Sequence, residues 1–282
     1  KVIREFVKEV EVCCQLSHPN IVRMLGWATD PELCLVQEFM RGQSLHIQLH
    51  LEAWHPTLRD QLKVALDVAN GMAYLHGEFE KPIIHRDLKS GNLMLEAVPT
   101  EGVDVVVKIT DFGLTRESHI DSTMTTSTVG GAAGSMLWMA PELVLGEKYT
   151  EKVDVFSYAM CLVELVDRNV PWHGSGVGQQ VIPVRVTQGK RPTHQVREAH
   201  APLKQLIAGC WAGNTVEEAS RRPSFPDIAR RVEEMLAGCE AAGPAREGSS
   251  RPASPQRGSV PELEAADGAS RPASPGRGRG GS

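Results

Sequence analysis

The sequence predicts an α+β fold in two lobes, a small strand-bearing lobe followed by a larger helical one. Three observations carry this. Between Asn20 and Met40, short apolar runs (Ile21-Val22 and Leu33 to Val36) are broken by Gly26 and Asp30-Pro31, which spells two or three strands with a hairpin. From Leu58 onward, apolar residues recur mainly at helical spacing. Beyond residue 240 the composition changes sharply, and the folded part is expected to end there.

The elements follow in order. Ile3, Phe6, Val7, Val10 and Cys14 share one face of a first helix. After the strands, Leu62, Ala65, Leu66, Ala69 and Met72 form the stripe of a long helix from about Leu58 to His76. Residues 93–95 and 105–109 read as a strand pair around a turn at Pro99–Gly102. The segment Val153–Val166 is apolar on nearly every side, as expected of a central buried helix. Ser224, with Pro226 in the first turn and Asp227 at N3, marks the capped start of the last helix. Residues 241–282 contain no aromatic residue, and half of them are Gly, Pro or Ser. Such a segment buries too little apolar surface to offset its ordering entropy, so a disordered tail is expected. It holds a near-repeat, Ser250-Arg-Pro-Ala-Ser-Pro-Gln-Arg-Gly258 and Ser270-Arg-Pro-Ala-Ser-Pro-Gly-Arg-Gly278. The repeat presents Ser254 and Ser274 alike, each before Pro and three residues after Arg; it is either a low-complexity spacer or a pair of phosphorylation sites.

Bulk properties exclude several classes. The 282 residues carry 30 basic and 35 acidic side chains, a formal charge of −5, so nothing draws the chain to nucleic acid or anionic lipid. No apolar run reaches transmembrane length and no secretory signal is present. Cys13, Cys14, Cys34, Cys161, Cys210 and Cys239 include no C-x-x-C pair, and buried reduced thiols are expected. Together these features suggest a cytoplasmic protein. His46, His50 and His55 are loosely spaced with no accompanying carboxylate pattern, and they read as surface residues.

The chemistry concentrates in His85-Arg86-Asp87-Leu88-Lys89-Ser90-Gly91-Asn92, followed by Asp111-Phe112-Gly113. An aspartate with an ordinary pKa of about 3.9 is ionised at neutral pH. Asp87 could therefore orient a Ser or Thr hydroxyl and accept its proton. Lys89 could neutralise the oxygens of a moving phosphoryl group. Asn92 and Asp111 offer the hard oxygen donors that Mg2+ takes. Gly113 permits a sharp turn after the metal ligand. Asp-Phe-Gly alone is a weak signal. His-Arg-Asp-Leu-Lys-x-x-Asn is strong because many typed positions must match together, and the two motifs stand in order about twenty residues apart.

These motifs make residues 1 to about 240 resemble the eukaryotic protein kinases. The resemblance implies a two-lobed kinase-like fold with ATP and Mg2+ as cofactors. It also implies protein substrates bearing Ser or Thr acceptors, with upstream kinases as further partners. Domain limits follow as 1–240 for the kinase domain, with a small-lobe remnant 1–40 and a large lobe 41–240, and 241–282 for the tail. Met139-Ala140-Pro141-Glu142 matches the end of an activation segment, and Asp154 the buried aspartate that holds the catalytic loop. Arg222 matches the arginine that pairs with Glu142, and His85 is a packing element of the loop. Phe6-x-x-Glu9-Val10, His18-Pro19-Asn20-Ile21-Val22 and Gly134 to Glu142 look similar to the tyrosine-kinase-like group, near Raf-like and mixed-lineage types. Lys89 favours Ser/Thr acceptors, and Ser135 stands where similar enzymes more often carry Thr to bridge the base and the lysine.

By the same resemblance, Gln37 is the gatekeeper, Glu38, Phe39 and Met40 form the hinge, and Met94 lies under the adenine. Arg86 would pair with a phosphate on the activation segment, whose acceptors include Ser118, Ser122, Thr123, Thr125, Thr126, Ser127 and Thr128. Glu9 matches the glutamate that pairs with a phosphate-gripping lysine. No such lysine, and no glycine-rich loop, precedes Glu9 in this sequence. Lys1 stands where a Met would open a whole chain, so the first strands are expected to be missing and ATP binding by residues 1–282 to be weak. A non-catalytic, kinase-derived binding module is the alternative function.

Overall fold

A computed structural model describes residues 2–112, 116–117, 135–194, 196 and 200–241. Gly113, Ser118, Ser122, Thr123, Thr125, Thr126, Ser127, Thr128 and the tail from residue 242 lie outside the described residues.

Helix α1 spans Val2–Cys13. Val10 and Cys13 are buried, whereas Ile3 and Val7 are exposed. The apolar face therefore continues through Cys13 and not through Cys14, which lies beyond the helix end and is exposed. Strands β1 (Met24–Ala28) and β2 (Cys34–Gln37) pair antiparallel, from Met24↔Gln37 to Ala28↔Cys34, with an irregularity between Met24 and Gly26. The hairpin turns through Asp30-Pro31.

Helix α2 (Leu45–His50) is capped by Ser44, whose Oγ accepts from Ile47 N at 3.3 Å. Helix α3 (Leu58–Gly77) starts at a capping box in which Thr57 Oγ1 accepts from Asp60 N and the Asp60 carboxylate accepts from Thr57 N. Leu62, Ala65, Leu66, Ala69 and Met72 are all buried, as the helical stripe requires. Strand β3 (Ile83–Ile84) pairs with β6 (Arg116–Glu117), and β4 (Leu93–Leu95) pairs with β5 (Val107–Ile109). The first motif lies in the loop between β3 and β4, and the second follows directly from β5.

Helices α4 (Pro141–Val144), α5 (Lys152–Asp167), α6 (Ile182–Thr187), α7 (Ala201–Cys210), α8 (Val216–Ala219) and α9 (Phe225–Ala241) complete the larger part. Residues Val153 through Leu165 of α5 are buried without a break, so this helix is the core axis. Tyr158 on α5 donates to Ala65 O of α3 at 2.9 Å and meets the Phe225 ring of α9 edge-on. Ser224 caps α9, its Oγ accepting from Asp227 N at 3.3 Å.

All six cysteines are free, and Cys13, Cys161 and Cys210 are buried. Cys14 and Cys34 are exposed, contrary to the expectation of burial for the whole set: Cys14 lies past the end of α1, and Cys34 opens β2 on its outward face. Among the described residues no helix is long and apolar enough to cross a membrane.

Candidate active site

Four side chains of the first motif and the segment before α4 meet in one place. Lys89 Nζ donates to Asp87 Oδ2 at 2.6 Å and to Ser135 Oγ at 2.9 Å. Asn92 Nδ2 donates to Asp87 O at 2.8 Å and to Asp87 Oδ2 at 3.2 Å. Pinned through its nitrogen, the Asn92 amide is left with Oδ1 as its acceptor. Asp87 is thus an oriented carboxylate with a cation on one side and an amide on the other.

The backbone holding this carboxylate is strained. Arg86 and Asp111 both adopt left-handed backbone, φ 65° and 67°, which typically costs about 1–3 kcal/mol per residue. The compensation comes from below. Asp154, fully buried on α5, accepts from His85 N and Arg86 N at 2.8 Å each. His76 Nε2 lies 2.9 Å from the same carboxylate. Burial disfavours the Asp154 charge, but the hydrogen bond from His76, the electrostatic influence of His76 and His85 and the bond from the Arg86 amide outweigh it, and its pKa is lowered. The bent loop is therefore gripped by an ionised group on the most buried helix.

His85 ties the two motifs together. Its Nε2 lies 3.0 Å from Thr110 O, and its Nδ1 faces Asp87 N at 3.3 Å, so Nε2 carries the proton and Nδ1 accepts. Its ring packs against Phe112, which is buried. Asp111, next to Phe112, is exposed. Glu9 of α1 is half-buried, and burial followed by the charge of Asp111 raises its pKa. Two carboxylates thus share one region of negative potential.

Gln37 ends β2, and Thr110 Oγ1 donates to its Oε1 at 3.3 Å. Glu38 accepts from Lys108 Nζ at 3.0 and 2.9 Å and from Arg23 N at 2.8 Å. Phe39 is exposed and Met40 is buried. Met94 is half-buried on β4, directly across from Lys108 on β5. Arg86 Nη1 donates to Tyr149 Oη at 3.4 Å. Farther off, Arg222 donates to both Glu142 oxygens, at 2.6 and 3.1 Å, with both side chains almost fully buried.

Residues 1–232 match the family described as protein tyrosine and serine/threonine kinase. The chain belongs to the protein kinase family. This kinase domain is 36% identical over 234 residues to serine/threonine-protein kinase VIK of Arabidopsis thaliana, covering 83% of this chain and 51% of the relative. It is 36% identical over 235 residues to serine/threonine-protein kinase STY17 of the same plant, covering 83% of this chain and 38% of that one. Against mitogen-activated protein kinase kinase kinase 11 of Rattus norvegicus the identity is 36% over 230 residues, 80% of this chain and 25% of the relative. These relatives are consistent with the tyrosine-kinase-like group. The chain spans about half, or less, of the length of each of them.

Several residues of the kinase domain that shape the site stand outside the motifs. His76 lies in the last turn of α3 and has no local signal. Glu164 sits inside the apolar run Val153–Val166, and an acidic residue there demands buried partners. It has them: Ser90 Oγ donates to its Oε1 at 2.6 Å and Trp138 Nε1 to its Oε2 at 3.0 Å. His50 Nε2 and His46 Nδ1 face Oε1 at 2.8 and 3.4 Å. Both histidines are half-buried against this carboxylate, which corrects their reading as surface residues. Their carboxylate partner comes from a helix more than a hundred residues away, so sequence spacing could not reveal it.

Proposed function

We propose that this kinase domain transfers the γ-phosphoryl group of ATP to Ser or Thr hydroxyls of protein substrates. The observation that carries it is the convergence of Asp87, Lys89, Ser135 and Asn92 within hydrogen-bond distance. In the reaction the acceptor oxygen bonds to the γ-phosphorus while its proton passes to the Asp87 carboxylate. The bond from phosphorus to the bridging oxygen breaks and ADP leaves. Lys89 lies beside the base, placed to neutralise charge on the transferred group. Ser135 holds Lys89 from the other side, which keeps the cation from collapsing wholly onto Asp87.

The donor set fits Mg2+: the free oxygen of the pinned Asn92 amide and the exposed Asp111 carboxylate are hard ligands, in a region where Glu9 already registers the excess negative charge of Asp111. When bound, the ion supplies charge neutralisation to the phosphates. Gln37 to Met40, with Met94, form the adenine site, and the polar Gln37 held by Thr110 narrows its back. Ser/Thr acceptors are supported by Lys89 and by the names of the relatives.

The deciding experiment compares transfer of the γ-phosphate from Mg-ATP to a generic protein substrate by the chain and by Asp87→Asn. Loss of the base lowers the rate by roughly 10²–10⁴-fold while the thermal midpoint stays put. Labelling that is equal in the two proteins, or absent from both, favours the non-catalytic binding module. Regulation is proposed at Thr123, Thr125, Thr126, Ser127 and Thr128, with Arg86 as the phosphate partner. Alanine at all five positions then abolishes activation by an upstream kinase; full activity in that variant ends the idea.

A further inference from the structure

We propose that His46, His50 and Glu164 form a binding site for one zinc-type transition-metal dication. His46 and His50 stand one turn apart on α2, and their ring centroids lie 4.5 Å apart. His46 Nδ1 and His50 Nε2 converge on Glu164 Oε1, and all three ligand atoms lie within 4.8 Å of one another.

The spacing suits the ion. Zn2+ bonds nitrogen and oxygen at about 2.0–2.1 Å in a tetrahedron, which sets donor separations of about 3.3–3.4 Å. The His46–Glu164 separation is 3.4 Å, and the His50–Glu164 separation of 2.8 Å needs to open by only about half an ångström. Helix α2 is six residues long, and His50 is its last residue, so its ring can move without disturbing a long element.

The surroundings resemble the outer shell of a metal site. Glu164 is fully buried and already oriented by Ser90 on one oxygen and Trp138 on the other. The His46 side chain retains 42% exposure, which gives an ion a route in and a water the fourth position. Two imidazoles and one carboxylate favour Zn2+ over Mg2+, so nucleotide-bound magnesium would not compete here. Occupancy would tie α2 and α5 to the loop carrying Asp87, because Ser90 belongs to that loop.

Zn2+ is titrated into the full chain with millimolar Mg2+ present, and Co2+ is used in parallel for its visible spectrum. One ion per chain is expected. His46→Ala and His50→Gln should each weaken binding at least about tenfold, and Co2+ should give tetrahedral bands without a thiolate charge-transfer band. His46→Ala keeps the test valid if His50→Gln fails to fold, since His46 is the more exposed of the two. Unchanged affinity in the folded variants, a thiolate band, or no binding at micromolar Zn2+ would each overturn the proposal.

Discussion

Arg222 reaches Glu142 with two hydrogen bonds and spends its three remaining donors on Lys152 O, Ala212 O and Gly213 O at 2.9, 2.8 and 3.4 Å. Its guanidinium lies over the Phe156 ring, and so does that of Arg191. Burial, followed by the charge of Arg222, lowers the Arg191 pKa to about 10. Two cations and one carboxylate therefore share a desolvated space, and the carboxylate is what makes it tolerable. Arg222→Met should cost about 3–5 kcal/mol in urea denaturation, because it leaves Glu142 buried without its fork. Adding Glu142→Leu should recover much of that loss. The site residues were legible singly, since Asp87, Asn92 and Asp111 stand in typed motifs. Glu164 and His76 were not, because their roles exist only through partners brought in by the fold.

Helix α3 shows how an element reads correctly in sequence while hiding its main constraint. Its stripe and its capping box are local features, and both appear as the spacing predicts. Gly71 in its middle looks like a weak point, since alanine is favoured there by about 1 kcal/mol on propensity. A Cβ at that position would lie 2.9 Å from Asn20 O and 2.9 Å from Ile109 Cδ1. Backbone oxygen cannot yield as a side chain can, and Asn20 O is itself bonded to Ile109 N at 2.9 Å. Gly71→Ala is therefore expected to destabilise by about 1–3 kcal/mol; a raised thermal midpoint would contradict this packing account. Asn20 belongs to the stretch His18-Pro19-Asn20-Ile21-Val22, and its side chain also bonds Val107 O at 2.9 Å. The glycine lets α3 approach the strand that leads into Asp111.

At the scale of the whole molecule, stability and site geometry converge on Asp154. Its folded pKa is lowered, so its ionised form contributes stability that is fully present above its unfolded value of about 3.9. That contribution is lost as pH falls through the lower folded pKa. Denaturant midpoints of the wild type should fall below pH 4 more steeply than those of Asp154→Asn, which has no such proton to take up. Parallel curves would mean that the carboxylate does not hold the loop in the way its hydrogen bonds imply. Periodicity, capping residues and motif spacing by themselves determined the α+β class, the long helices and the family, because those depend on contacts within a few residues. Only the tertiary structure decided that Cys13 faces inward, that Asp154 clamps a strained Arg86, and that two histidines of α2 meet a carboxylate of α5. The physical reason is the same in each case: buried polar groups must find partners, and the partner is set by how helices pack, not by its distance along the chain.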